Sequence, residues 1–279
     1  VGNKTLQNVK TFWEDNPLFT GESKYEPGTK EFFYDHRRTV IDDCFAGRLD
    51  PRMMPPAENQ DNVLDLGCGP GFWTVEFLRR GVAKKVTAGD LTQNAQDLTR
   101  QRLKLYGLEA EVTYANAERL PFPANKFSHV NCQGVIHHTP DTEACIAEIA
   151  RVLRPGGTAS LSVYYKNFIL RNWAVFNKIA TLLGSLGVAL KGRNREDMLQ
   201  TNTIDEIVRK YDGEDNPIGK CYSKSDFMEM LTDYFQVKEV YYHFFPARAF
   251  PFKLPRRLHK FLDSKLPFLI YVNLIKKDN

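Results

Sequence analysis

The stretch Val63 to Trp73, VLDLGCGPGFW, restricts what this chain can fold into more than any other. A short apolar run, Val63-Leu64-Asp65-Leu66, enters a loop holding Gly67, Gly69 and Gly71, and a helix-compatible stretch from Trp73 to Arg80 follows at once. The order is strand, glycine turn, helix. Glycines there let the backbone take positive φ and let a ligand approach the main chain without meeting a Cβ, beneath the N–H groups of a helix N-terminus. A nucleotide-like ligand suits such a turn.

Spacing separates the kinds of nucleotide. A dinucleotide fingerprint needs its third glycine at position 72, where Phe72 stands, and a P-loop needs a Lys-Ser/Thr pair that is missing. The chain reads D-x-G-x-G-x-G from Asp65 to Gly71, with the acid before the turn. This resembles motif I of the class I S-adenosylmethionine-dependent methyltransferases. Cys68, inside the loop, is explained by its small size and is given no nucleophilic role.

From Asn62 to Val163, strand-like runs (63–66, 85–89, 111–114, 127–132, 158–163) alternate with helical periods near 72–80, 93–106 and 142–153. Repeated β-α-β with short links predicts an α/β, doubly wound, mostly parallel sheet. Ligands of such sheets bind at the carboxyl ends of the strands. Asp90 follows the second strand, 19 residues beyond Gly71, and with Leu91 beside it can receive both hydroxyls of a ribose; Thr92 is the expected cap of the next helix.

After the third strand stands Ala115-Asn116-Ala117-Glu118-Arg119-Leu120-Pro121-Phe122. It resembles the family's Asp-Ala-x-x-Leu-Pro-Phe, whose aspartate faces the adenine amino group, with Asn116 in its place and Leu120 to Phe122 walling the base. An amide oxygen still accepts a hydrogen bond. The fourth strand runs into Gln133 and on to His137-His138-Thr139-Pro140-Asp141, and Arg154-Pro155-Gly156-Gly157 reads as a helix stop and tight turn. With these the resemblance covers roughly Asn62 to Val163 and is to the small-molecule branch sometimes labelled type 11. It implies a Rossmann-like sheet of seven strands with an antiparallel last strand. It also implies S-adenosyl-L-methionine as cofactor, held by residues 65, 67–69, 71, 90, 91, 116–118 and 133.

The flanks read differently. Val1 to Gln60 is turn-rich at first and then helical from Thr29 to about Ala46, an N-terminal lid segment whose dense aromatics include Tyr25 and Tyr34 as substrate-side candidates. Residues 164–222 read as an inserted helical cap: Phe168 to Leu190 apolar and helical, Lys191 to Asp197 charged, and a turn from Asp212 to Pro217. Tyr211, Asp212 and Tyr222 are its substrate-side candidates. Residues 223–279 supply a capped helix at Ser223 to Asp233 and strands at Phe235 to Tyr242 and Phe268 to Ile275, completing the core sheet after residues 61–163.

The sulfonium that the resemblance implies carries a good leaving group, so the protein need only align an acceptor about 3 Å from the methyl carbon and remove its proton if it has one. No metal is demanded, and the five cysteines show no metal-ligand spacing. His138, and less directly His137, are the candidates for taking that proton. The expected reaction is methyl transfer to an O, N, S or C atom of a small-molecule acceptor.

Nucleic acid is a weaker partner. Enzymes methylating exocyclic base amines usually carry Asn/Asp-Pro-Pro-aromatic after the fourth strand, where this chain has Asn131-Cys132-Gln133-Gly134. A cofactor-binding protein without catalysis is the other alternative. The net charge of +4 is local: Phe244 to Asn279 holds eight Lys/Arg against two acids, and its interleaved aromatics suit peripheral membrane contact as well as packing. Scattered cysteines and the lack of an apparent signal pattern point to the cytoplasm. Phe168 to Leu190 is interrupted by Arg171, Asn172, Asn177 and Lys178 and is too polar for a bilayer span.

Overall fold

The computed structural model describes residues 5–185, 187, 190–192, 199 and 203–277. Its first element is absent from the sequence reading. Helix α1, Leu6–Asp15, starts on a capping box in which Thr5 and Asn8 exchange side-chain-to-backbone hydrogen bonds. Asparagine stands where such a box usually has Glu or Gln, which is why the segment resembles a turn. Helix α2, Lys30–Cys44, begins on Thr29 as its composition predicts.

The alternation then appears as read: β1 Val63–Leu66, α3 Phe72–Arg79, β2 Val86–Asp90, α4 Gln93–Tyr106, β3 Glu111–Tyr114, β4 Phe127–Gln133, α5 Thr142–Val152 and β5 Leu153–Tyr165. The cap supplies α6 Phe168–Arg171, α7 Trp173–Ser185, α8 Ile204–Tyr211 and a two-residue strand β6, Cys221–Tyr222; then come α9 Lys224–Leu231, β7 Phe235–His243, α10 Arg256–Lys265 and β8 Leu269–Lys276. The single apolar helix expected from Phe168 is thus broken at Asn172, and residues 193–197 of the charged run lie outside the described residues.

Main strands run in the order β3-β2-β1-β4-β5-β8-β7, with β6 beside β5 as an eighth. Strands β1 to β6 pair in parallel, and β8 runs antiparallel to both β5 and β7. The Arg-Pro-Gly-Gly is not a turn ahead of the strand. Strand β5 already pairs Leu153 with Phe127, and the register slips before His129 while Gly156 takes φ +66°.

Alternate residues explain the core. Leu64 and Leu66 of β1, with Ile270, Val272 and Leu274 of β8, pack on one face against Ile146 and Ile149 of α5 and Phe227 and Leu231 of α9. Val63 faces the other way, against Phe77 and Val86, and Leu269 and Tyr271 turn toward Phe45, Tyr164, Trp173 and Phe244. Both faces are covered, which suits the continuous apolar runs of central parallel strands.

Candidate functional site

The glycine loop is fixed from beneath. Gly67 and Cys68 donate their N–H groups to the Gly89 carbonyl at 2.7 and 3.1 Å, Thr99 donates its hydroxyl to the Gly69 carbonyl at 2.7 Å, and Arg102 donates to the Pro70 carbonyl at 3.1 Å. Gly67 sits at φ +72°, and a Cβ there would lie 2.3 Å from a methyl of Val135. Only glycine satisfies both conditions. Arg102 is a residue the sequence reading misses: its buried guanidinium also approaches the His36 ring at 3.1 Å, tying the loop to α2, and burial pushes its pKa down to about 10.

Asp65 is corrected here. It does not line the cavity above the loop. Its carboxylate accepts from the backbone and hydroxyl of Thr74 at 2.8 and 2.6 Å and from Asn131 at 2.9 Å, fastening the start of α3 and β4 to β1. Burial outweighs those donors and pushes its pKa up to about 6. Gly71 likewise stands outside the lining, at the N-cap of α3 with φ +73°.

The lining begins with Cys68, Gly69, Asp90 and Leu91. Burial raises the Cys68 thiol well above its ordinary pKa. Asp90 accepts from Gly69 N–H at 3.0 Å and from both the N–H and hydroxyl of Thr92 at 3.0 and 2.9 Å, yet burial still pushes its pKa up. Thr92 therefore does not cap α4. The cap is Glu14 of α1, whose carboxylate accepts from the N–H groups of Gln93 and Asn94, both at 2.8 Å.

Asn116 and Ala117 line the next strand tip, with the Asn116 Oδ1 accepting from Glu118 N–H at 3.0 Å. The Glu118 side chain points elsewhere, accepting from Asp141 N–H at 2.7 Å, and Leu120 and Phe122 are buried in the core and wall no base. Gln133 ends β4. Its amide nitrogen donates to Asn131 and to the Ser160 carbonyl at 3.1 and 3.0 Å, which leaves Oε1 buried on the cavity wall with no protein donor.

Beyond Gln133 the cavity becomes a different environment. Residues Ile136–His138 form one 3-10 turn that carries both histidines to the wall. His138 has Nδ1 2.8 Å from the Ile218 carbonyl and Nε2 3.4 Å from Asp212 Oδ2, and the Tyr164 hydroxyl donates to the same Oδ2 at 2.7 Å. Trp13 of α1 lies across the His138 ring at a centroid distance of 5.3 Å. Phe45, Trp73, Phe244, Leu269 and Tyr271 complete an apolar wall.

Of the substrate-side candidates, only Asp212 reaches the cavity. Tyr211 is buried one layer behind, against Tyr164 and Phe244. The Tyr222 hydroxyl is taken up by Thr142 at 2.8 Å, and Tyr25 and Tyr34 face solvent. The aromatic residues that line the cavity instead include Trp13, Tyr164 and Tyr271. Tyr164 had a signal, since it closes the apolar run of β5 on the binding edge; nothing in the sequence pairs Trp13 with His138.

The site fits S-adenosyl-L-methionine on three counts. Gly67 in the cradle admits no side chain, a partly buried carboxylate stands at the β2 tip, and Gln133 Oε1 is an acceptor that an ammonium would satisfy. Residues 63–157 match the family described as a methyltransferase domain. The chain is 39% identical over 98 residues to a ubiquinone/menaquinone biosynthesis C-methyltransferase UbiE of Shewanella halifaxensis, covering 34% of this chain and 39% of that protein. It is 30% identical over 165 residues to a demethylmenaquinone methyltransferase of Lactococcus lactis, covering 53% and 64%. It is 32% identical over 132 residues to the methyltransferase tpcH of Aspergillus fumigatus, covering 44% and 45%. The chain thus spans between about two fifths and two thirds of the length of these relatives.

A solved S-adenosylmethionine-dependent methyltransferase from Methanosarcina mazei shares the fold at a TM-score of 0.55 and 20% identity, over 82% of this chain and 98% of that one. The cyclase SpnF does so at 0.56 and 13% identity, over 100% and 98%. These likenesses concern the fold alone. The cradle, the strand order and the family match together identify residues 63–157 as a methyltransferase domain of the class I S-adenosylmethionine-dependent family, whose cofactor is S-adenosyl-L-methionine.

Proposed function

We propose that this protein is an enzyme that moves a methyl group from S-adenosyl-L-methionine to a small-molecule acceptor. The observation that carries the reading is the abutment of the cofactor cradle on a buried His138–Asp212–Tyr164 group under Trp13. When bound, the cofactor supplies an electrophilic methyl group. Asp90 receives ribose hydroxyls, Asn116 and Ala117 face the adenine edge, and Gln133 Oε1 accepts from the amino group.

The remaining chemistry belongs to the chain. A hydrogen bond to the Ile218 carbonyl requires a proton on His138 Nδ1, which makes Nε2 the basic nitrogen. A proton leaving an acceptor at this end of the cavity passes to Nε2, and Asp212, held in place by the Tyr164 hydroxyl, stabilises the imidazolium. Trp13 and the apolar wall exclude water and restrict the acceptor's orientation. The names of the matched relatives, quinone-biosynthesis methyltransferases among them, favour a small molecule as acceptor. The five free cysteines favour a reducing compartment such as the cytoplasm, and among the described residues no helix is long and apolar enough to cross a membrane.

Labelled methyl transfer from S-adenosyl-L-methionine into fractionated metabolite extracts and RNA tests the reading. Label is expected in a small-molecule fraction; label in RNA, or in nothing, would overturn it. His138→Ala is expected to lower turnover by about 10²-fold or more while cofactor affinity stays nearly intact. A variant with full turnover at neutral pH would show that His138 is only a wall.

A further inference from the structure

Two surface segments outside the site share a composition. Helix α7 buries Trp173 and Ala180 and turns Val175, Ile179 and Leu182 outward at i, i+4 and i+7, with Phe168 of α6 also exposed. Helix α10 buries His259 and Asp263 and leaves Leu258 and Phe261 exposed, with Phe252 just before it. Such side chains rarely gather on a protein surface without a partner.

The charges around them are of one sign. Residues 168–185 contain no acid, and residues 250–265 contain only Asp263, which is turned inward against His243 at 3.1 Å and accepts from Phe245 N–H. Seven basic residues accompany the exposed apolar ones: Arg171, Lys178, Lys253, Arg256, Arg257, Lys260 and Lys265. Arg256 reaches back to the Gly47 carbonyl at 2.8 Å. Residues flanking the two segments are joined twice, by Asn167 donating to the Pro267 carbonyl at 2.9 Å and by Lys191 N–H donating to the Ala249 carbonyl at 3.0 Å.

We propose that α6–α7 and α10 together form a docking surface for an anionic lipid bilayer, with the apolar side chains entering the interface and the basic ones meeting the headgroups. Charge complementarity selects this occupant. A second copy of the chain would set like charges against like, and a nucleic acid would neutralise the lysines and arginines but leave the apolar stripe in water. No residue of these helices lines the cavity, and the occupant of the surface is independent of what the cavity methylates.

The test is vesicle flotation of the full chain without any methyl donor, using vesicles of phosphatidylcholine alone and of phosphatidylcholine with phosphatidylglycerol. Capture by the anionic vesicles only, weakened by salt, is expected. Arg257→Gln with Lys260→Gln should weaken capture by about fivefold per charge removed, and Ile179→Ser with Leu182→Ser by about tenfold or more. The pairs lie on separate helices, and whichever retains the wild-type melting temperature decides the matter. Absence of capture, equal capture by neutral vesicles, or folded variants that bind like wild type would overturn the proposal. So would a wild-type dimer that either pair converts to monomer, which would assign the surface to a second copy.

Discussion

Asp90 already holds three hydrogen bonds from Gly69 and Thr92, and these aim its carboxylate along the cavity wall. Asp90→Ala removes one or two charge-assisted contacts to a bound ribose, each worth about 1.5 to 3 kcal/mol. Cofactor affinity should fall about 10-fold to 100-fold by calorimetry. Unchanged affinity in a folded variant would take Asp90 out of the site. The place of Asp90 and Gln133 on the cavity wall was legible because a strand tip in a β-α-β repeat has a known direction. Asp65 lies off the cavity wall, and sequence order places it at the same loop without showing which side of the sheet its carboxylate takes. Thr74 and Asn131 hold it below.

Helix α1 reaches α4 through one carboxylate. Glu14 stands 79 and 80 residues before the N–H groups it caps, Gln93 and Asn94, and the same helix lays Trp13 across His138 and adds Leu6 and Val9 to the cavity wall. The lid expected over the cofactor therefore has a fastening in the helix that follows Asp90. Glu14→Ala should cost about 1 kcal/mol of lid closure, the typical value of a helix cap. Limited proteolysis should then cut between residues 15 and 30 several times faster, and saturating cofactor should restore part of the protection. Cleavage at the wild-type rate would show that α1 is held by its apolar contacts instead. No sequence rule locates this cap, because Thr92 sits in the capping position and satisfies the local pattern while its hydroxyl is spent on Asp90.

Across the whole molecule, segments far apart in sequence meet at His243, whose ring nitrogens lie 2.8 Å from Asp50 and 3.1 Å from Asp263. Burial opposes its charge, but the two carboxylates raise its pKa above the ordinary value. Asp50 is partly buried too, yet hydrogen bonds from Arg52 and His243 hold it down to about 2. A raised histidine contributes stability fully below its unfolded pKa of about 6.5 and loses it as pH rises through the folded value. A lowered aspartate contributes above about 3.9 and loses it as pH falls toward the folded value. The staple is therefore strongest between roughly pH 4 and 6.5. The melting-temperature gap between wild type and His243→Gln should be widest there and shrink on the alkaline side; a gap constant to pH 9 would refute the pairing. The sequence alone determined the local periods, the glycine turn and thus the parallel core with its binding edge, since these depend on neighbours within about 20 residues. Tertiary structure alone decided which carboxylate faces the cavity, which tryptophan covers His138, and which distant acid caps a helix or clasps a histidine. Those choices follow from packing between elements brought together by the sheet order, and the side chains involved satisfy every local rule equally well elsewhere.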